Sequence, residues 1–214
     1  MAELIVALDF PSLSRAAEMV DTLRKEVSFF KVGLELFTRC GPDAVKMVRD
    51  RGCDVFLDLK IHDIPNTAAG AVRSAANLGC RSLTIHAASG REALKAAAGA
   101  RESGAPLLWG VTLLSSIDGG DGSELAALAF EAGLDGVIAS GEGVVSVKKS
   151  FPRLQIITPG IRPRGGDADD QKRVLTPAQA VRAGADFLVV GRPVTRAGDP
   201  AAAAALIKEE ASRI

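Results

Sequence analysis

Three charged residues in one short stretch, Asp58, Lys60 and Asp63, raise the question of chemistry first. They stand as Asp-x-Lys-x-x-Asp within residues 55–67 (VFLDLKIHDIPNT), which begin as an apolar strand and end at a helix start. Alternate side chains of a strand share a face, so Asp58 and Lys60 are expected on one side and Leu57 and Leu59 on the other. Pro65 suits the first turn of a helix, where its missing N–H has no partner to lose. Asp63 falls in the loop between. Burying charge is costly unless each group is paired and hydrogen-bonded, so a cluster of this kind points to ligand handling more than to folding. A structural ion pair with Asp63 as a helix N-cap accounts for Asp63 by itself but not for three charges aimed at one space.

A second set of residues suits anion binding. Arg162 follows the apolar run LQIITPGI, and Gly191 and Arg192 follow FLVV. Guanidinium groups offer forked donors to phosphate oxygens, and a glycine lets the backbone N–H come close. Gln171 adds a further donor from the segment 160–172 (GIRPRGGDADDQK), which is long, glycine-rich and charged, as a lid over a ligand would be.

These side chains are far apart in sequence and need a frame that brings them to one rim. Apolar, β-branched runs recur at residues 4–10, 28–33, 53–60, 82–86, 106–114, 136–140, 154–159 and 187–191. Helical stretches follow at 12–27, 43–52, 64–79, 90–104, 125–133, 143–150, 177–184 and 200–212, several closed by glycine. Eight strand–helix units predict an α/β fold, a (β/α)8 TIM barrel forming a single domain over residues 1–214. An open doubly wound sheet uses the same alternation, but its Gly-rich first turn is missing, since Asp9-Phe-Pro-Ser12 stands there.

In such barrels the active site lies at the C-terminal strand ends. Those ends carry Asp9, Lys31, Asp58 with Lys60, His86, Ser115 or Ser116, Ser140, Arg162, and Gly191 with Arg192. The loops after strands seven and eight, where phosphate commonly binds, hold the arginines.

Bulk properties exclude other classes. The 214 residues carry formal net charge +0 and are 47% hydrophobic, so no basic footprint marks a nucleic-acid or membrane-surface partner. No apolar run reaches spanning length, and the opening MAELIVALD reads as a first strand, not a signal peptide. Cys40, Cys53 and Cys80 match no metal-ligand spacing and are expected as free thiols in a reducing cytoplasm. His62 and His86 have no metal partner at useful spacing and are expected in structural or supporting roles.

Residues 58–67 (DLKIHDIPNT) resemble the signature of the orotidine 5′-phosphate decarboxylases. Residues 7–9 (ALD), 31–33 (KVG), 158–162 (TPGIR), 169–173 (DDQKR) and 190–192 (VGR) are similar to further segments of that family, in order and across the whole chain. The resemblance implies conversion of orotidine 5′-phosphate to UMP in pyrimidine biosynthesis by a homodimer with shared active sites, using neither metal nor organic cofactor. It implies a Lys31–Asp58–Lys60–Asp63 charge array, with Asp63 and Thr67 reaching the partner's site. Asp9 and Lys31 would hold the ribose, Ser115 (or Ser116) the pyrimidine, and Arg162, Gln171, Gly191 and Arg192 the phosphate. Lys60 would protonate the C6 carbanion left when CO2 departs.

Two other readings are weighed. The hexulose-phosphate synthases and ketogulonate-phosphate decarboxylases share the Asp-x-Lys-x-x-Asp motif but use Mg²⁺, and resemble a pattern with glutamate where this chain has Lys31, which would repel a cation. A non-catalytic phosphate-binding barrel would leave the charge array without a task.

Overall fold

The computed structural model describes residues 2–102, 104–113, 122–163 and 174–213. Eight parallel strands close into a barrel in sequence order: β1 (Glu3–Ala7), β2 (Phe29–Gly33), β3 (Asp54–Ile61), β4 (Ser82–His86), β5 (Leu107–Val111), β6 (Gly136–Ile138), β7 (Gln155–Thr158) and β8 (Phe187–Val190). β1 pairs with β8 from Glu3↔Phe187 to Val6↔Val190, which closes the ring.

The alternation of each strand sorts its side chains into two sets. Val6, Phe30, Leu57, Leu83, Leu108, Val137, Ile156 and Leu188 face outward into one large apolar cluster under the helices. Ile5, Phe29, Phe56, Trp109, Ile157, Phe187 and Val189 fill the interior. Phe56 and Trp109 meet edge to face at 4.7 Å, and Trp109 and Phe187 lie 5.0 Å apart, so the lower barrel is a packed aromatic plug. Below it, Arg81 stands 4.4 Å from the Phe29 ring centroid and bonds both oxygens of Glu3 at 2.8 and 2.7 Å. It also donates to Asp54 at 3.0 Å.

The main outer helices are α1 (Leu13–Leu23), α2 (Leu34–Cys40), α3 (Pro42–Arg49), α4 (Pro65–Asn77), α5 (Arg91–Gly99), α6 (Ser123–Glu131), α7 (Gly143–Ser150), α8 (Pro177–Ala183), α9 (Arg192–Thr195) and α10 (Pro200–Ser212). Their starts carry local signals: Ser12 and Asp199 cap α1 and α10, Thr176 and Gln179 form a capping box on α8, and Pro65 opens α4. The expected strand–helix order is present. Two helices are additional: α2 and α9 have 7 and 4 residues, too short for a 3.6-residue periodicity to stand out. The helix expected over 90–104 ends at Gly99. The N-cap of α4 is Ile64, not Asp63, whose Oδ1 accepts from Ile64 N at 2.7 Å. Cys53 and Cys80 are buried and free, and burial pushes the Cys80 thiol up to about 12. Among the described residues no helix is long and apolar enough to cross a membrane.

Candidate active site

Asp9, Lys31, Asp58 and Lys60 come together above the aromatic plug. Lys31 Nζ lies 2.9 Å from Asp9 Oδ1 and 3.6 Å from Asp58 Oδ2. Lys60 Nζ approaches the same Asp58 Oδ2 at 2.7 Å. Charges therefore alternate along Asp9–Lys31–Asp58–Lys60, with only Asp9 half open to solvent. Phe56, the inward residue of β3 below Asp58, gives the array an apolar floor.

Burial is the largest influence on the Asp58 carboxyl and pushes it upward. The Lys31 and Lys60 ammoniums, with hydrogen bonds from Lys60 and Thr84, outweigh it, so its pKa falls below the ordinary 3.8. Burial likewise pulls the Lys31 ammonium down, and the Asp58 and Asp9 carboxylates outweigh that and hold it above the ordinary 10.5. Each group thus stabilises its neighbour's charge.

Asp58 and Lys60 do share one space, but regular alternation is not what puts them there. The β3–β4 register runs Phe56↔Ser82 and Leu57↔Leu83, then slips to Ile61↔Ile85. Lys60 sits at φ 49, in the left-handed region that non-glycine residues seldom enter. Such a conformation costs about 1–3 kcal/mol and persists only where surrounding structure holds it. Here Thr84 of β4 does so: its Oγ1 accepts from Lys60 N at 2.9 Å and donates to Asp58 Oδ1 at 2.9 Å.

Above the array opens a cavity of about 700 Å³, lined among others by Asp9, Lys31, Asp58, Lys60, Arg162, Gly191 and Arg192. Seven of the residues picked from the sequence thus meet in one place, carboxylates and ammoniums toward one side and the two arginines among the walls. Arg162 is nearly buried, with its Nη1 donating to the Ile161 carbonyl at 3.0 Å. Arg15, Glu35, Thr195 and Arg196 also line the cavity and were not singled out by sequence, because the first three lie on helices beyond the strand ends and Arg196 directly follows one. Thr84 was likewise missed. Its signal was the alternation of Ser82, Thr84 and His86 with Leu83 and Ile85 along the strand.

Other expectations fall elsewhere. Asp63 and Thr67 are exposed within this chain, and no ion pair to Asp63 forms among the described residues. His86 and Ser140 belong to the strand ends but do not line the cavity; Ile138 does. His86 stacks on His62 at 5.1 Å and accepts from Ala88 N at 3.3 Å, a supporting role. Burial, then His62 and Lys60, lower its pKa. Ser115, Ser116 and Gln171, with most of the expected lid, lie outside the described residues.

Comparison with known proteins points one way. A sequence model described as "Orotidine 5'-phosphate decarboxylase / HUMPS family" matches residues 2–207. The chain is 50% identical to an orotidine 5′-phosphate decarboxylase of Nitratidesulfovibrio vulgaris, over 100% of this chain and 99% of that protein. It is 48% identical to one of Moorella thermoacetica, over 97% and 91%. The crystal structure of an orotidine 5′-phosphate decarboxylase from Lactobacillus acidophilus superposes with a TM-score of 0.86 at 34% identity, covering 99% of this chain and 100% of that one.

Proposed function

The chain belongs to the orotidine 5′-phosphate decarboxylase / HUMPS family, and on that premise we propose how its residues turn orotidine 5′-phosphate into UMP. The observation that carries the reading is the alternating array Asp9–Lys31–Asp58–Lys60 at the base of a cavity whose walls include Arg162 and Arg192, with Arg15 and Arg196 beside them.

Loss of CO2 breaks the bond from C6 of the pyrimidine to its carboxylate and leaves the electron pair on C6. The ring offers that pair no good sink, so the protein must supply positive charge where negative charge develops. Lys60 is the group for this: its ammonium stabilises the carbanion, transfers a proton to C6, and regains one from solvent. Asp58 stands beside the departing carboxylate and holds both lysine ammoniums in place. Asp9 and Lys31 hold the ribose hydroxyls. Arg162, Gln171, Gly191 and Arg192 hold the phosphate, whose binding energy lowers the chemical barrier. Ser115, or its neighbour Ser116, contacts the pyrimidine.

Asp63 and Thr67 complete the site of a second subunit in a cytoplasmic homodimer. Their exposure, with that of Ile64 at 66%, supports this reading, since a large apolar side chain beside an acidic group is left facing outward. The chain acts as one (β/α)8 domain on a small nucleotide, with neither nucleic acid nor membrane as partner and neither metal nor cofactor. Two ammoniums already hold the Asp58 carboxylate, which disfavours a Mg²⁺ ion there and with it the hexulose-phosphate synthase type of reaction.

The test is the ultraviolet absorbance of orotidine 5′-phosphate incubated with purified protein in excess EDTA. Conversion to UMP is expected. An unchanged spectrum with folded protein, and turnover of a hexulose- or ketogulonate-phosphate once Mg²⁺ is added, would replace this reading with the metal-dependent one.

A further inference from the structure

Between the pairs Leu57↔Leu83 and Ile61↔Ile85, β3 places Asp58, Leu59 and Lys60 opposite Thr84 alone. The surplus residues bulge out of the ladder, and bulges next to active sites re-aim side chains. The backbone N–H of Lys60 bonds a side chain, Thr84 Oγ1, at 2.9 Å. The same hydroxyl sends its single proton to Asp58 Oδ1 at 2.9 Å, while Asp58 Oδ2 receives Lys60 Nζ at 2.7 Å. Thr84, Lys60 and Asp58 thus form a closed ring of contacts running from the Lys60 backbone through Thr84 and Asp58 to the Lys60 ammonium.

We infer that Thr84 is a positioning residue for decarboxylation: its hydroxyl pins the left-handed backbone of Lys60 and the rotation of the Asp58 carboxylate, and so fixes where the Lys60 ammonium stands. The polarity of the ring is set at both ends. An N–H can only donate, so the hydroxyl oxygen must accept from Lys60; an ionised carboxylate can only accept, so the hydroxyl proton must go to Asp58. Thr84 is fully buried, so no solvent competes for either bond. Its backbone is held independently within β4, paired with Trp109 of β5, so the anchor belongs to the rigid barrel wall and not to a loop. Removal of the hydroxyl leaves the methyl packing in place but frees Lys60 to leave φ 49. The acid is then misplaced, while the ribose and phosphate contacts stay as they were.

This inference rests on the assignment of Lys60 as the acid, so Lys60→Ala is measured beside it. Thr84→Val exchanges hydroxyl for methyl, and Thr84→Ser keeps the hydroxyl. Should Val fail to fold at this site, Thr84→Ala against Thr84→Ser gives the same comparison, since those two differ in the hydroxyl alone. Loss of one hydrogen bond to a charged group and of the fixed backbone is expected to lower kcat roughly 10- to 100-fold for Val or Ala. KM should stay within about threefold, because ground-state binding is untouched. Serine should restore kcat to within about threefold of the parent, by the same single bond. A Val or Ala variant with parental kcat overturns the inference, as does a serine variant as impaired as alanine or a loss carried in KM. If instead Lys60→Ala retains turnover, it is the general-acid reading that falls, whatever Thr84 does.

Discussion

Lys31 keeps its ammonium in the space a β-carbon on Gly33 would need: Lys31 Nζ lies 2.6 Å from that position, and Asp9 Oδ1 lies 2.8 Å from it. Both residues sit on β2, two apart and on the same inward face. Gly33 therefore stays bare so that the first two members of the array can meet.

Gly33→Ala should accordingly cost activity and little stability. The lysine end is flexible and moves, so the barrel closes as before, but Lys31 leaves Asp9 and Asp58. Misplacing a charge by about 1 Å is expected to lower kcat/KM on the order of 100-fold. Steady-state kinetics beside a melting curve check this; parental kcat/KM in a folded variant would mean that the Lys31 position is not needed.

Shared sites can be read from mixtures. Lys60→Ala and Asp63→Ala should each be nearly inactive alone. Random exchange of subunits then rebuilds one intact site in each mixed dimer, giving about one quarter of parental activity at equal concentrations. No recovery in any ratio would confine Asp63 to its own subunit.

The array predicts a pH window of stability. Asp58 titrates below its ordinary 3.8, so the stability it contributes is whole above that value and fades as pH falls through its lower folded value. Lys31 titrates above its ordinary 10.5, so its contribution is whole below that value and fades as pH rises through the higher folded one. The difference in thermal midpoint between the parent and Asp58→Asn should be flat between these limits and shrink beyond each. A difference that stays constant through strong acid and strong base would contradict the linkage.

Arg81 should matter for stability and not for turnover. It bonds Glu3 and Asp54 and lies over Phe29 at the end of the barrel away from the cavity. Arg81→Met is expected to cost about 1 kcal/mol, because Glu3 and Asp54 are partly open to solvent and water takes the place of their lost donor, with kcat at moderate temperature unchanged. Denaturant unfolding together with kinetics would test it, and a large fall in kcat would contradict the separation of the two ends.

Much of this was legible in the chain itself. Continuous apolar runs of strand length, alternating with helical stretches of which several are closed by glycine, specify eight strand–helix units, because the strands of a parallel barrel are buried on both faces. Asp58 and Lys60, with Asp9, Lys31, Arg162, Gly191 and Arg192 at or just after strand ends, follow from the same count, since the strand ends of a barrel share one rim. Short α2 and α9 were not legible, because one or two turns carry no periodicity.

Only the tertiary structure decided how the charges meet. From the sequence, Asp58 and Lys60 share a face by simple alternation; in the fold they share it through a register slip, a left-handed Lys60 and a hydroxyl from the neighbouring strand. Register between strands is a non-local property, set when the whole barrel closes, and no spacing within β3 encodes it. The same holds for Gly33, whose need to be glycine comes from the ends of Lys31 and Asp9. The sequence determined which groups are present and on which rim; closure of the barrel determined the distances between them, and those distances set the charge states on which the chemistry depends.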